Sequence, residues 1–178
     1  MFNRVVLFIL VTIFVIACSQ PKPRMPINHS SGYDQSSSIA FNKKLYSNEA
    51  TLIEAYIKKD STHQYINSQH GFWYTFINQI PNDTIMPIKG DVISMVYDVQ
   101  DLYGNEIYSE KEIGNVTYRV DKEEIIKGIQ EGIKWMNEGE TVKFLFPSHK
   151  AFAYHGDEKK IGPNMPIVVN LKLVDIKN

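Results

Sequence analysis

Cysteine is almost missing from this chain: of 178 residues only Cys18 is one, which excludes an internal disulfide and any zinc site built on several thiolates. An excess of charge of either sign is missing too. Nineteen Lys and Arg stand against twenty Asp and Glu, a formal net charge of −1, so nucleic acid is not an expected partner. No apolar run is long. The most extended, Val5 to Ile16, is 12 residues broken only by Thr12, where a bilayer-spanning helix needs roughly 20. Phosphate-cradling glycine loops, HExxH and GxSxG do not occur. Ser148, His149, His155 and Asp157 fall close together, but their spacing fits no ligand set or triad and reads as a solvated loop. No metal and no cofactor is expected.

What is present begins with that apolar run. It follows Arg4 and ends Val15-Ile16-Ala17-Cys18, which fits a signal peptide over residues 1–17 and resembles the bacterial lipobox, with Cys18 lipidated. An ordinary secretory signal with an incidental cysteine is the alternative. Two or more acyl chains on Cys18 would make lipid anchoring stable. Residues 18–38 are rich in Ser, Pro and polar side chains with little to bury, and read as a disordered tether. Extended at about 3.1 Å per residue, its last 20 residues would reach roughly 60 Å. Residues 39–60 read as a helix with Phe41, Leu45, Leu52 and Tyr56 near one face, for docking on the main domain or for a partner.

Residues 65–178 carry strand patterns. Gly71 to Ile80 is aromatic and β-prone, and in the stretch after Asp91 the residues Ile93, Met95, Tyr97 and Val99 share a face opposite Ser94 and Asp98. Ile167, Val169, Leu171 and Leu173 alternate with Asn170 and Lys172. The organising stretch is Asp121 to Gly156. Asp121 and Glu124 suggest a capping box, Ile126, Ile129, Ile133 and Met136 form one helical stripe, and Asn137 and Gly139 end it. Gly128 and Gly132 share a face, which predicts another backbone, most simply a wrapping sheet, close against the helix. Glu140 to Phe146 then reads as a strand ended by Pro147, followed by the aromatic loop Phe152-Ala153-Tyr154. The class is α+β with an antiparallel sheet.

One reaction needs none of the missing catalytic equipment. Rotation about an X–Pro bond is slow because it breaks amide resonance, with a barrier near 18–20 kcal/mol. An apolar pocket with a tyrosine hydroxyl for the twisted carbonyl is sufficient, since a ten-thousandfold acceleration is only about 5.5 kcal/mol.

Gly90-x6-Tyr97-x6-Gly104, then IIKGIQEGIKWMNEGE, FPSHKAFAYHG and IGPNMPIVVNLKLVDI resemble, in that order, the FKBP-type peptidyl-prolyl isomerases over roughly residues 71–177. Within that family the chain looks like the gliding-motility-associated lipoprotein isomerases. The resemblance implies an antiparallel half-barrel wrapped on one short helix. It implies Tyr97 in the pocket wall, Ile125 and Ile126 as the aliphatic pair whose second N–H meets the ligand, and Tyr154 as the loop tyrosine that binds the substrate carbonyl. Ile161 matches the later rim. Ile129 stands where the floor is usually tryptophan, Ile107, Val116 and Val169 where the walls are usually phenylalanine, and Tyr108 where an aspartate is usual. Implied partners are proline-containing unfolded or exported polypeptides and, through Cys18, a lipid bilayer. The implied location is the bacterial envelope, facing the periplasm and most simply on the outer membrane. Oligomeric state is not legible. A non-catalytic peptide-binding chaperone, or a part of a gliding or secretion assembly, is the other reading left open by the missing aromatics.

Overall fold

A computed structural model describes residues 35–81 and 85–177. Cys18, the signal segment and the tether up to residue 34 lie outside the described residues. Helix α1 is Gln35–Lys59, so residues 35–38, assigned above to the tether, are helical. Among the described residues seven strands follow: β1 (Ile66–Asn67), β2 (Trp73–Asn78), β3 (Val92–Gln100), β4 (Glu106–Tyr108), β5 (Val116–Arg119), β6 (Thr141–Phe146) and β7 (Ile167–Lys177). They form one antiparallel sheet in the order β1-β2-β6-β7-β3-β4, with β5 also on β3. The alternation expected in β3 and β7 is present: Ile93, Met95, Val99, Ile167, Val169, Leu171 and Leu173 are all buried.

The short helix of the central stretch is shorter than its pattern. Helix α3 is Lys127–Gly132, continued by a 3₁₀ turn at Ile133–Trp135. The expected cap at Asp121 is corrected: Ile126 is the N-cap and no side chain caps it. Asp121 is left-handed, with φ +55°, and its carboxylate is drawn instead to Lys134 at 2.7 Å. Ile129, Ile133 and Met136 are buried, as their spacing predicts. The glycine face does lie against the sheet, but its neighbours are aromatic rings and not backbone. A Cβ on Gly128 would stand 2.4 Å from the Phe146 ring, and one on Gly132 2.6 Å from the Phe144 ring. Those two rings stack at 5.2 Å between centroids.

The sheet has a second apolar face. Leu145 and Val168 point away from the main core and are buried with Ile53 of α1. Helix α1 therefore docks on its own domain, through Glu49, Ile53, Tyr56 and Ile57, spaced for one helical face. The face predicted for it is corrected: Phe41 and Leu52 are exposed. Docking is reinforced by a buried carboxylate. Glu49 is 2% exposed, and the Ser148 N–H and hydroxyl donate to it at 2.9 and 2.7 Å. Ser148 is thus no part of a solvated loop. Glu49→Ala would leave two buried donors unpaired, a loss of about 2–3 kcal/mol. Thermal unfolding followed by circular dichroism should show Tm lowered by roughly 5–10 °C.

Candidate functional site

A gap in the sheet makes the site. β4 pairs with the end of β3 (Val99 opposite Tyr108), and β5 pairs with its start (Met95 opposite Val116). Between Tyr108 and Val116 the chain leaves the sheet. Ser109 accepts the Glu112 N–H and caps helix α2, Glu110–Ile113. Tyr97 therefore faces an interrupted edge, and a cavity of about 280 Å³ opens there. Tyr97 and Val99 come from β3, Tyr108 and Ile113 from the excursion, and Ile126 from the entry to α3. Phe152, Asp157 and Lys159 come from the loop before β7.

Of the residues predicted for the site, Tyr97, Tyr108 and Ile126 line this cavity. Ile107, Val116 and Ile125 are half-buried against the main core behind it. Ile129, Ile161 and Val169 are buried in that core and do not reach the cavity surface. Tyr154 is the clear correction. It is 68% exposed, lies against the His155 ring at 3.8 Å, and does not line the cavity; Phe152 does. Ala153 between them is left-handed, with φ +53°, and its N–H is held by the Ser148 carbonyl at 2.7 Å. Phe152 and Tyr154 therefore diverge. The signal available in the sequence was His155, one residue too many before Gly156.

Electrostatically the cavity combines the Tyr97 hydroxyl and the Lys159 side chain with a sealed Tyr108–Asp157 pair. Burial pushes the Tyr97 phenol above its ordinary range, so it stays protonated at neutral pH. Among the described residues its hydroxyl has no hydrogen-bond partner. At the other wall the Tyr108 hydroxyl donates to the Asp157 carboxylate. Burial alone would raise the Asp157 pKa, but this bond and the N–H groups of Ile161 (2.7 Å) and Lys159 (2.9 Å) outweigh it and hold the carboxyl below its usual range. That same bond, with burial, raises the Tyr108 phenol, while Lys160 lies over its ring at 4.6 Å. Gly156 belongs to this turn: a Cβ there would stand 2.2 Å from the Ile161 carbonyl oxygen. As the N-cap, Ile126 gives its carbonyl to the Gln130 N–H at 3.0 Å, while its own N–H precedes the helical ladder. Among the described residues no three His, Cys, Asp or Glu side chains converge as metal ligands would.

Comparisons with known proteins agree with this architecture. The family described as FKBP-type peptidyl-prolyl cis-trans isomerase matches residues 84–174, just over half of the chain, and the chain belongs to that family. It is 30% identical over 125 residues to the probable FKBP-type peptidyl-prolyl cis-trans isomerase FkpA of Neisseria meningitidis serogroup B. That match covers 69% of this chain and 44% of the relative, so the chain spans less than half the relative's length. The crystal structure of FkpA from Escherichia coli superposes with a TM-score of 0.61 at 24% identity, over 80% of this chain and 65% of that one. A peptidyl-prolyl cis-trans isomerase from Pseudomonas syringae pv. tomato gives 0.61 at 17% identity, over 76% and 96%. At these identities the two structures establish the fold.

A carboxylate whose folded pKa is depressed adds stability above its unfolded pKa, about 3.9, and loses it as pH falls through the folded value. The turn around Asp157 should hold throughout the neutral range and loosen only in acid. Carbon-13 NMR titration of Asp157 should give a midpoint below about 3.9, moving up toward that value in Tyr108→Phe. An unmoved midpoint would show that Tyr108 contributes nothing to the shift.

Proposed function

We propose that the chain is a peptidyl-prolyl cis-trans isomerase acting at the cavity between Tyr97, Ile126 and Phe152. The observation that carries this reading is the Tyr97 hydroxyl, a protonated donor without a partner in an otherwise largely apolar hollow. A planar prolyl amide is polar, and an apolar cavity solvates it poorly. As the bond twists, conjugation is lost and the carbonyl oxygen turns out of its former plane. A donor fixed at the wall can meet that oxygen in the twisted state more closely than in the planar one, which is the differential binding that catalysis requires. Val99, Ile113, Ile126 and Phe152 supply the apolar surface for the pyrrolidine ring. The Tyr108–Asp157 pair closes the far wall and keeps Asp157 from competing for the Tyr97 hydroxyl.

The substrates proposed are proline-containing unfolded or exported polypeptides. We place the chain in the bacterial envelope, held to a bilayer through Cys18 and facing the periplasm, with gliding-motility proteins among its clients. The lipobox-like sequence and the apolar run before it support the anchor. In Cys18→Ser, cell fractionation should move the chain from the membrane pellet to the soluble fraction. Retention in the pellet would assign the anchor to the apolar run itself.

A second reading, a non-catalytic peptide clamp, is favoured by one feature: the loop presents the hydroxyl-free Phe152 to the cavity while Tyr154 faces solvent. Proline-limited refolding of a protein substrate separates the two. The full chain in lipid nanodiscs should accelerate the slow phase at micromolar concentration. Tyr97→Phe should lower kcat/KM about tenfold, equivalent to about 1.4 kcal/mol, and Tyr154→Phe should leave it unchanged. A rate equal to that with empty nanodiscs leaves the clamp.

A further inference from the structure

A second hollow among the described residues, about 500 Å³, is distinct from the cavity described above. It lies between α1 (Leu52, Ala55, Tyr56), the β3–β4 turn (Leu102, Tyr103) and the loop Gly162–Pro166. Its volume is in the range that holds a ligand of several side chains. Resting on the isomerase reading, we infer that this groove is a second subsite for the same polypeptide: it takes an apolar or aromatic side chain of the client while the client's prolyl bond lies in the Tyr97 cavity.

Continuity of the walls supports this occupant. Val99 lines the Tyr97 cavity and Asp101 to Tyr103, immediately after it on the chain, line the groove. On the opposite side, Phe152, Asp157 and Lys159 line the cavity and Gly162 to Pro166 the groove. The Asn164 N–H donates to the Ala153 carbonyl at 2.7 Å, which ties the two walls into one loop. The chemistry of the walls then selects side chains and disfavours strand addition. Pro163 and Pro166 have no N–H, and that of Asn164 is already used. The Asp101 carboxylate is taken by the N–H groups of Tyr103 and Asn105 at 2.8 Å each and by the Asn105 side chain at 2.7 Å. What the groove offers is mainly apolar surface, with Leu52 50% and Tyr103 86% exposed and Lys59 the one cation among the described residues of its lining. Exposed large apolar side chains grouped at one opening are what a docking surface presents.

The test uses the full chain in lipid nanodiscs and short peptides with one proline. In one series a tryptophan is moved through successive positions on either side of the proline, against an alanine control. At one spacing the tryptophan should tighten binding about tenfold, read by calorimetry. That gain should vanish in Leu52→Asp and in Tyr103→Ser, while the alanine peptide binds as before and is isomerised at the same rate. Both side chains are exposed, so either variant should keep the fold. No gain at any spacing, or a gain that survives both substitutions, overturns the inference. A chain that dimerises through this face, with Leu52→Asp restoring the monomer, also overturns it and assigns the groove to a second copy. Replacing the proline by alanine separates the two readings. If the tryptophan gain persists and no peptide is isomerised, the groove stands and the isomerase reading falls.

Discussion

The contact on which the architecture depends is that of two phenylalanine rings against a helix with two side chains missing. Phe144 and Phe146 stack on one another and fill the space that side chains on Gly132 and Gly128 would take. Each glycine in a helix costs about 1 kcal/mol relative to alanine, and the gain is that a six-residue helix sinks onto the rings of β6. A helix this short is not stable by itself, so packing alone holds it. Its depth decides where Ile126 meets the cavity, and Phe72 and Trp135 continue the same aromatic layer.

Around that contact the sheet does two jobs with its two faces. The inner face wraps α3, and the outer face of β6 and β7 receives α1 through Leu145, Val168 and Ile53. The two jobs meet at Ser148. Its N–H and hydroxyl reach Glu49 on α1, and its carbonyl receives the Ala153 N–H at the turn that presents Phe152. The N-terminal helix is therefore connected by hydrogen bonds to the loop beside the cavity. A buried carboxylate with two donors is stable only while both remain in place, because either loss leaves a charge or a donor unpaired. The same helix forms one wall of the larger groove.

Within the site, the cavity is a gap in strand pairing that a short capped helix fills incompletely. The departure of the chain at Ser109 and its return at Val116 leave Tyr97 without a strand on that side, while β7 pairs it on the other through Leu171. The Tyr108–Asp157 bond then joins the excursion to the loop before β7. An aspartate and a tyrosine are paired across the wall here, with the tyrosine standing where the family usually has its aspartate. The pairing draws on residues 49 positions apart in sequence.

Period-two alternation in β3 and β7, the paired glycines and the spacing of Ile129, Ile133 and Met136 were legible because each depends on neighbours within a few residues. From these the sheet and the helix followed, whereas the placing of Tyr97 and Ile126 at the cavity was implied by the family resemblance alone. Other features were settled only in the folded chain. Asp121 is no cap because the helix begins only at Lys127, and its carboxylate meets Lys134 instead, while α1 turned Glu49 and Ile53 inward and left Phe41 and Leu52 exposed. Phe152 displaced Tyr154 because Ala153 adopts a left-handed turn held by Ser148. The amino-acid order alone determined which residues are apolar and at what period. What covers them was decided by contacts between distant segments, and which of two neighbouring aromatics enters the cavity by a left-handed turn at Ala153; neither is written in the apolar period.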